Sequence, residues 1–189
     1  MSIGDFLDRQ LLLRIQRGDD RAADLLVRRY QRRAYSTAYR VVLQVQVAED
    51  VVQEAFLKAI NSVLSASYDV GRPFWPWFRR IVVNLALNAV REELRRKQWE
   101  QRGAAEAATS ATGRELDAAE AADFREAVRK ALVGLSPEVR AVFVLRAAEE
   151  LSYREIAETL GVPIGTVMSR LARARELLRR ELKDYEDAV

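Results

Sequence analysis

Among the 189 residues there is no cysteine and no histidine. Disulfides, thiol nucleophiles, imidazole acid–base catalysis and the usual zinc sites are therefore closed, and no cofactor is expected. Hydroxyls, amides, carboxylates and arginines remain, and they gather in three places. Thr166, Ser169, Arg170 and Arg173 fall within GVPIGTVMSRLARAR, residues 161–175. Asn84, Asn88 and Arg91 share one face of a helical pattern by their i, i+4, i+7 spacing. Glu49, Asp50, Gln53 and Glu54 cluster in AEDVVQEAFLKAI. Arginines hold phosphates or guanine edges, and short polar side chains bond base edges, so the first two groups have the chemistry of nucleic-acid contact. The third opposes an apolar face. It reads as a polar docking surface for another protein or as a plain solvated helix face, and spacing alone leaves both open. Carboxylate-based hydrolysis finds no support, because the acids lie on polar helix faces or in an acidic segment.

The elements that must position these groups are helical. Hydrophobic residues make up 49% and charged residues 31%, an ordinary balance for a folded chain. Apolar residues recur at helical spacing almost throughout, which predicts an all-α protein. Only VVLQVQV, residues 41–47, would pass for a strand in isolation. Helical patterns cover about 6–17, 21–43, 48–64 and 76–96, with Gly18 as a stop and Asp19 or Asp20 as the next N-cap. In the fourth, Trp77, Ile81 and Leu85 make one stripe, so Trp77 is expected in the core. Trp75, at the end of the loop SASYDVGRP, is expected to be harder to bury. Residues 79–97 carry six bases against two acids, which suits a grip on single-stranded nucleic acid or a stabilised basic helix.

Composition then shifts. Residues 99–123 are rich in Ala, Thr, Ser and Gly and hold six acids against two bases. Their side chains are too small to build a core, which predicts a flexible acidic linker, helical toward its end. The expected organisation is an N-terminal helical bundle over 1–98, the linker over 99–123, and a C-terminal helical domain over 124–189. The N-terminus lacks the pattern of a signal peptide, and no apolar run approaches the roughly 18 residues of a membrane span. A cytoplasmic protein without membrane insertion is expected.

LSYREIAETLGVPIGTVMSRLARARELLRREL reads as a helix-turn-helix. Ser152 and Glu155 form an S-x-x-E capping box. Gly161 sits where the chain leaves the first helix, and Pro163 suits the opening of the second. Val167, Leu171, Ala174 and Leu178 make an apolar stripe, with Thr166, Ser169, Arg170 and Arg173 away from it. Six bases against two acids over 163–183 suit phosphate contacts in a DNA groove. A solvated helix in a bundle is the competing reading of the residues alone.

In order along the chain, LLLRIQRGDDRAADLLVRRY, AEDVVQEAFLKAI, WFRRIVVNLALNAVR, an acidic linker, LSPEVRAVFVLR and YREIAETLGVPIGTVMSRLARAR resemble a bacterial RNA polymerase sigma factor of the sigma-70 family. The short two-domain form resembles the extracytoplasmic-function (ECF) group. The resemblance implies a promoter-recognition subunit that is not an enzyme. Its partners would be the clamp helices and flap of core polymerase, promoter DNA and an anti-sigma factor. Carried over by position, it places core binding on Asp50, Gln53, Glu54 and Leu57. Minus-10 recognition and melting fall on Ser65, Ser67, Tyr68, Arg72, Asn84, Asn88 and Arg91. Minus-35 recognition falls on Thr166, Ser169, Arg170 and Arg173. Three positions depart from the family pattern: Asn88 stands where Asp is frequent, Glu150 where Gly is frequent, and Met168 where Lys is frequent, which removes a phosphate contact. The alternative function is a helix-turn-helix regulator that does not join polymerase.

Overall fold

The computed structural model describes residues 3–103 and 119–183. The described residues form eight α-helices and no strand, as the periodicity predicts. They divide into two units, Met1–Ala89 and Val90–Val189.

In the first unit, α1 (Ile3–Ile15) buries Leu12 and Ile15. Its chain turns at Gly18, whose φ of +80° is a conformation glycine adopts without steric cost. Asp19 then caps α2 (Asp20–Val42), accepting a hydrogen bond from the Ala22 amide at 3.2 Å. Arg14 pairs with the same carboxylate at 2.8 Å and, with the Ala22 amide, holds its pKa below the ordinary value. The segment 41–47 is not a strand. Leu43 adopts φ +61° and returns its amide to the Tyr39 carbonyl at 2.7 Å, ending α2, and Gln44 is the extended residue that opens α3 (Val45–Leu64). A helix–helix corner therefore occupies what local propensity would also allow as β.

The helix α4 (Phe74–Gly103) starts two residues earlier than the pattern indicates and runs past Arg96. Its buried stripe also differs from the expected one. Phe74, Phe78, Val82 and Ala86 are buried, with Trp75, Val83 and Leu87 beside them. Trp77, Ile81 and Leu85 are only half-buried. Trp75 is 7% exposed because α2 supplies its partners. Its indole stacks on Tyr30, centroids 5.6 Å apart, and the Arg33 guanidinium covers it at 4.2 Å. Phe78 meets Phe56 of α3 at 4.6 Å. The order expected for the two tryptophans is thus reversed.

The second unit contains α5 (Ala119–Val133), α6 (Pro137–Ala147), α7 (Tyr153–Leu160) and α8 (Ile164–Glu181). Ser136 caps α6, with Pro137 in the first turn, where a missing N–H costs nothing. Within the expected linker, 99–103 belong to α4 and 119–123 to α5, while 104–118 lie outside the described residues. Among the described residues no helix is long and apolar enough to cross a membrane.

Candidate nucleic-acid interface

The C-terminal reader is built from its turn outward. Ser152 accepts a hydrogen bond from the Glu155 amide at 3.3 Å, and Glu155 accepts one from the Ser152 amide at 2.8 Å, so the capping box is closed at both ends. Gly161 ends α7 at φ +65°, and the Gly161 and Val162 amides both return to the Ala157 carbonyl. Pro163 takes the N-cap position, one residue before α8. Val167, Leu171, Ala174 and Leu178 are all buried, as the stripe predicts. Ser169 and Arg173 are exposed, and Thr166 and Arg170 half-exposed.

At 3.6 residues per turn, Ser169 lies about 170° from the centre of the buried stripe, Arg173 about 130° and Arg170 only about 70°. Arg170 thus flanks the stripe instead of opposing it. The Ser169 hydroxyl donates to the Thr166 carbonyl at 3.0 Å, so its proton is engaged and its lone pairs face outward.

In the first unit, α3 presents Glu49, Asp50, Gln53 and Glu54 outward, while Val51, Val52, Ala55, Phe56, Ala59 and Val63 are buried. Leu57 joins the polar face and is 64% exposed. A large aliphatic side chain there leaves apolar area in water, which a protein partner would remove.

The loop after α3 is held by its own hydroxyls. Ser65 donates to the Asn61 carbonyl at 2.8 Å and Ser67 to the Ser62 carbonyl at 3.1 Å, so both satisfy the open end of the helix. Arg72 is exposed. Tyr68 is a correction: expected to face DNA, it is buried. Its ring lies 4.1 Å from Trp77 and edge-on to Phe74, and its hydroxyl donates to the Arg72 carbonyl at 2.7 Å. Burial and neighbouring acids hold its phenol protonated well above the usual range. Tyr68 therefore shapes the loop from inside. Asn84, Asn88 and Arg91 lie exposed along α4.

Sequence reasoning missed the centre beneath this surface. Asp8, buried on α1, accepts a short hydrogen bond from the Tyr30 hydroxyl and pairs with Arg29 at 2.8 Å. No spacing rule links residues 22 positions apart, and α1 carries other charged and polar residues (Asp5, Arg9, Gln10 and Arg14), so nothing local singled out Asp8.

A helix-turn-helix with a cationic front, carried in the same chain as another helical unit with polar outer faces, defines a DNA-binding protein of two helical units. The family description "Sigma-70 region 2" matches residues 26–99, and "Sigma-70, region 4" matches residues 125–178. The chain is 36% identical over 184 residues to the RNA polymerase sigma-H factor of Pseudomonas aeruginosa, covering 93% of this chain and 94% of that one. It is 36% identical over 183 residues to the ECF RNA polymerase sigma-E factor of Escherichia coli, with coverage of 93% and 94%. Among solved structures it resembles CnrH in complex with the cytosolic domain of CnrY, with TM-score 0.65, 26% identity, and 94% and 98% of the two chains covered. A similar match is the sigma factor RpoE from Bartonella quintana in complex with the anti-sigma factor NepR, with TM-score 0.65, 26% identity and coverage of 85% and 96%. The chain belongs to the sigma-70 family, in its ECF group: it is a promoter-specificity subunit of bacterial RNA polymerase.

Proposed function

We propose that the two halves of this sigma factor divide promoter recognition between them. Residues 1–98 bind core polymerase and open the minus-10 element, 99–123 form the tether, and 124–189 read the minus-35 element. The polar face of α3, with Asp50, Gln53, Glu54 and Leu57, meets the clamp helices. The loop bearing Ser65, Ser67 and Arg72 and the α4 face bearing Asn84, Asn88 and Arg91 hold the melted minus-10 strand, with Tyr68 fixing the loop. Thr166, Ser169, Arg170 and Arg173 face the minus-35 duplex. The single observation that supports this most is α8, whose apolar stripe is wholly buried while Ser169 and Arg173 stand outward behind a tight turn. The protein itself performs no catalysis and works in the cytoplasm. Two solved relatives are described in complex with partner chains, one with the cytosolic domain of CnrY and one with the anti-sigma factor NepR. By that likeness this chain also has an anti-sigma partner.

Run-off transcription with core polymerase, with and without this protein, tests the assignment. Added protein should confer initiation from a cognate promoter. Asp50→Lys should fold normally, since surface changes cost little stability, yet lose co-purification with core. A folded variant that binds core as well as the parent removes the docking face from α3.

A further inference from the structure

The front of α8 has two unlike flanks. One carries Thr166, Arg170 and Arg173. The other carries Ile164, Met168 and Ala172, which follow one another at i, i+4, i+8. Met168 is 52% exposed and Ile164 39% exposed, beside a helix that otherwise buries its large aliphatic residues or holds them half-covered. Gly165, three residues before Met168, adds nothing to crowd this flank: a Cβ there would meet no atom within 4 Å. An unbranched, exposed thioether thus stands beside open space near the leading end of the helix.

A lysine at this position would reach a phosphate. A methionine has no such partner, and the phosphates and base-edge polar atoms of a major groove offer it nothing. The groove displays one apolar group, the C5-methyl of thymine. We propose that Met168, supported by Ile164, is a specificity-determining residue that reads a thymine methyl in the minus-35 element. This rests on α8 being the minus-35 reader. A flexible, polarisable side chain suits the task, because it adapts to a methyl without demanding one fixed geometry. The proposal also separates the two flanks by chemistry: arginines act on charge and guanine edges, and the opposite flank acts on apolar surface.

The test uses holoenzyme assembled from core polymerase and the full chain. A minus-35 element is first selected from duplexes randomised at that position, and each thymine is then replaced in turn by deoxyuridine, which removes only the methyl. Wild-type holoenzyme should lose about fourfold in affinity at one or two positions, the transfer value of one methyl-sized group. Met168→Lys should bind thymine and uracil duplexes equally and gain about one unit of salt slope from the new cation. Met168→Leu, still apolar, should keep the discrimination. The proposal is overturned if no replacement alters wild-type binding, if the selected element holds no A·T pair, or if Met168→Lys still discriminates. It is also overturned if Met168→Lys mainly weakens association with core, which would place the residue under polymerase. Failure to select any element at all would sink the reading of α8 itself, a result distinct from a selected element insensitive to the methyl.

Discussion

Glu150 sits at φ +55°, in the left-handed region, just before the capping box that starts α7. A residue with a Cβ pays about 1–2 kcal/mol there, whereas a glycine would not. Glu150→Gly removes that strain but loosens the unfolded chain, so a net gain of up to about 1 kcal/mol is expected. Glu150→Val, β-branched, should destabilise. Thermal unfolding of the two variants decides the point, and a lower Tm for Glu150→Gly would refute it. Tyr30 offers a pH test. Burial, then the hydrogen bond to Asp8 and that carboxylate's charge, raise its phenol to about 12 from an ordinary 10. The folded state therefore keeps a proton that the unfolded state releases. The corresponding stability is fully present below about pH 10 and is lost as pH rises from 10 toward 12. Chemical denaturation across that window should show stability falling, and Tyr30→Phe should make the fall shallower. An unchanged slope in the variant would exclude Tyr30 as its source. Tyr68, raised in the same direction by burial, leaves a remainder.

At the scale of the element, α8 separates folding from recognition on opposite sides of one cylinder. Leu171 is 2% exposed on the buried stripe, so Leu171→Ala should cost about 2–5 kcal/mol through lost burial and the cavity left behind. Arg173 is exposed, and Arg173→Ala should change stability by less than about 0.5 kcal/mol. Its effect should fall on DNA instead, weakening all sequences alike and lowering the salt slope by about one unit. Arg170 flanks the stripe and is half-exposed; if it reads a base edge as proposed, Arg170→Ala should relax preference at one position at a cost of about 1–3 kcal/mol. Unfolding curves together with promoter binding by the holoenzyme over a range of salt distinguish these outcomes. Equal losses of stability from Leu171→Ala and Arg173→Ala would contradict the division of faces.

For the molecule as a whole, recognition of duplex and of melted DNA is proposed for separate stretches of chain, 124–189 and 1–98, so their variants should fail at different steps. Asn84 is exposed on α4, which removes a buried capping or packing role as an explanation for any loss. Asn84→Ala should leave the melting temperature nearly unchanged. It should reduce open-complex formation more than closed-complex binding, because a flipped base is held by short polar groups around it. Comparing duplex with pre-melted promoter DNA checks this; equal losses on both would remove Asn84 from strand capture. The segment 99–123, proposed as a tether, is net negative, and channels that hold nucleic acid are cationic, so its charge suits the proposed path through polymerase.

Where one short stretch contains both the cause and the effect, the sequence determined the outcome by itself. The S-x-x-E box, Gly161 and the four-residue stripe of α8 specify a helix end, a left-handed turn and a buried face through bonds and spacings no longer than a few turns. Tertiary structure alone decided matters that depend on what arrives from elsewhere in the chain. Residues 74–87 contain two overlapping stripes, both apolar, and periodicity cannot rank them. The one containing Trp75 is buried because Tyr30 and Arg33 of α2 supply a stacking ring and a cation, and Phe56 of α3 receives Phe78. The same packing draws Tyr68 inward, since its ring finds Phe74 and Trp77 while its hydroxyl finds the Arg72 carbonyl. The positive φ of Leu43 is likewise imposed on a residue with no local preference for it, because two helices that each bury a face must meet at that corner. Local hydrogen bonds have near neighbours as partners and are written in order along the chain. Burial is a contest among faces for distant partners, and only the assembled helices settle it.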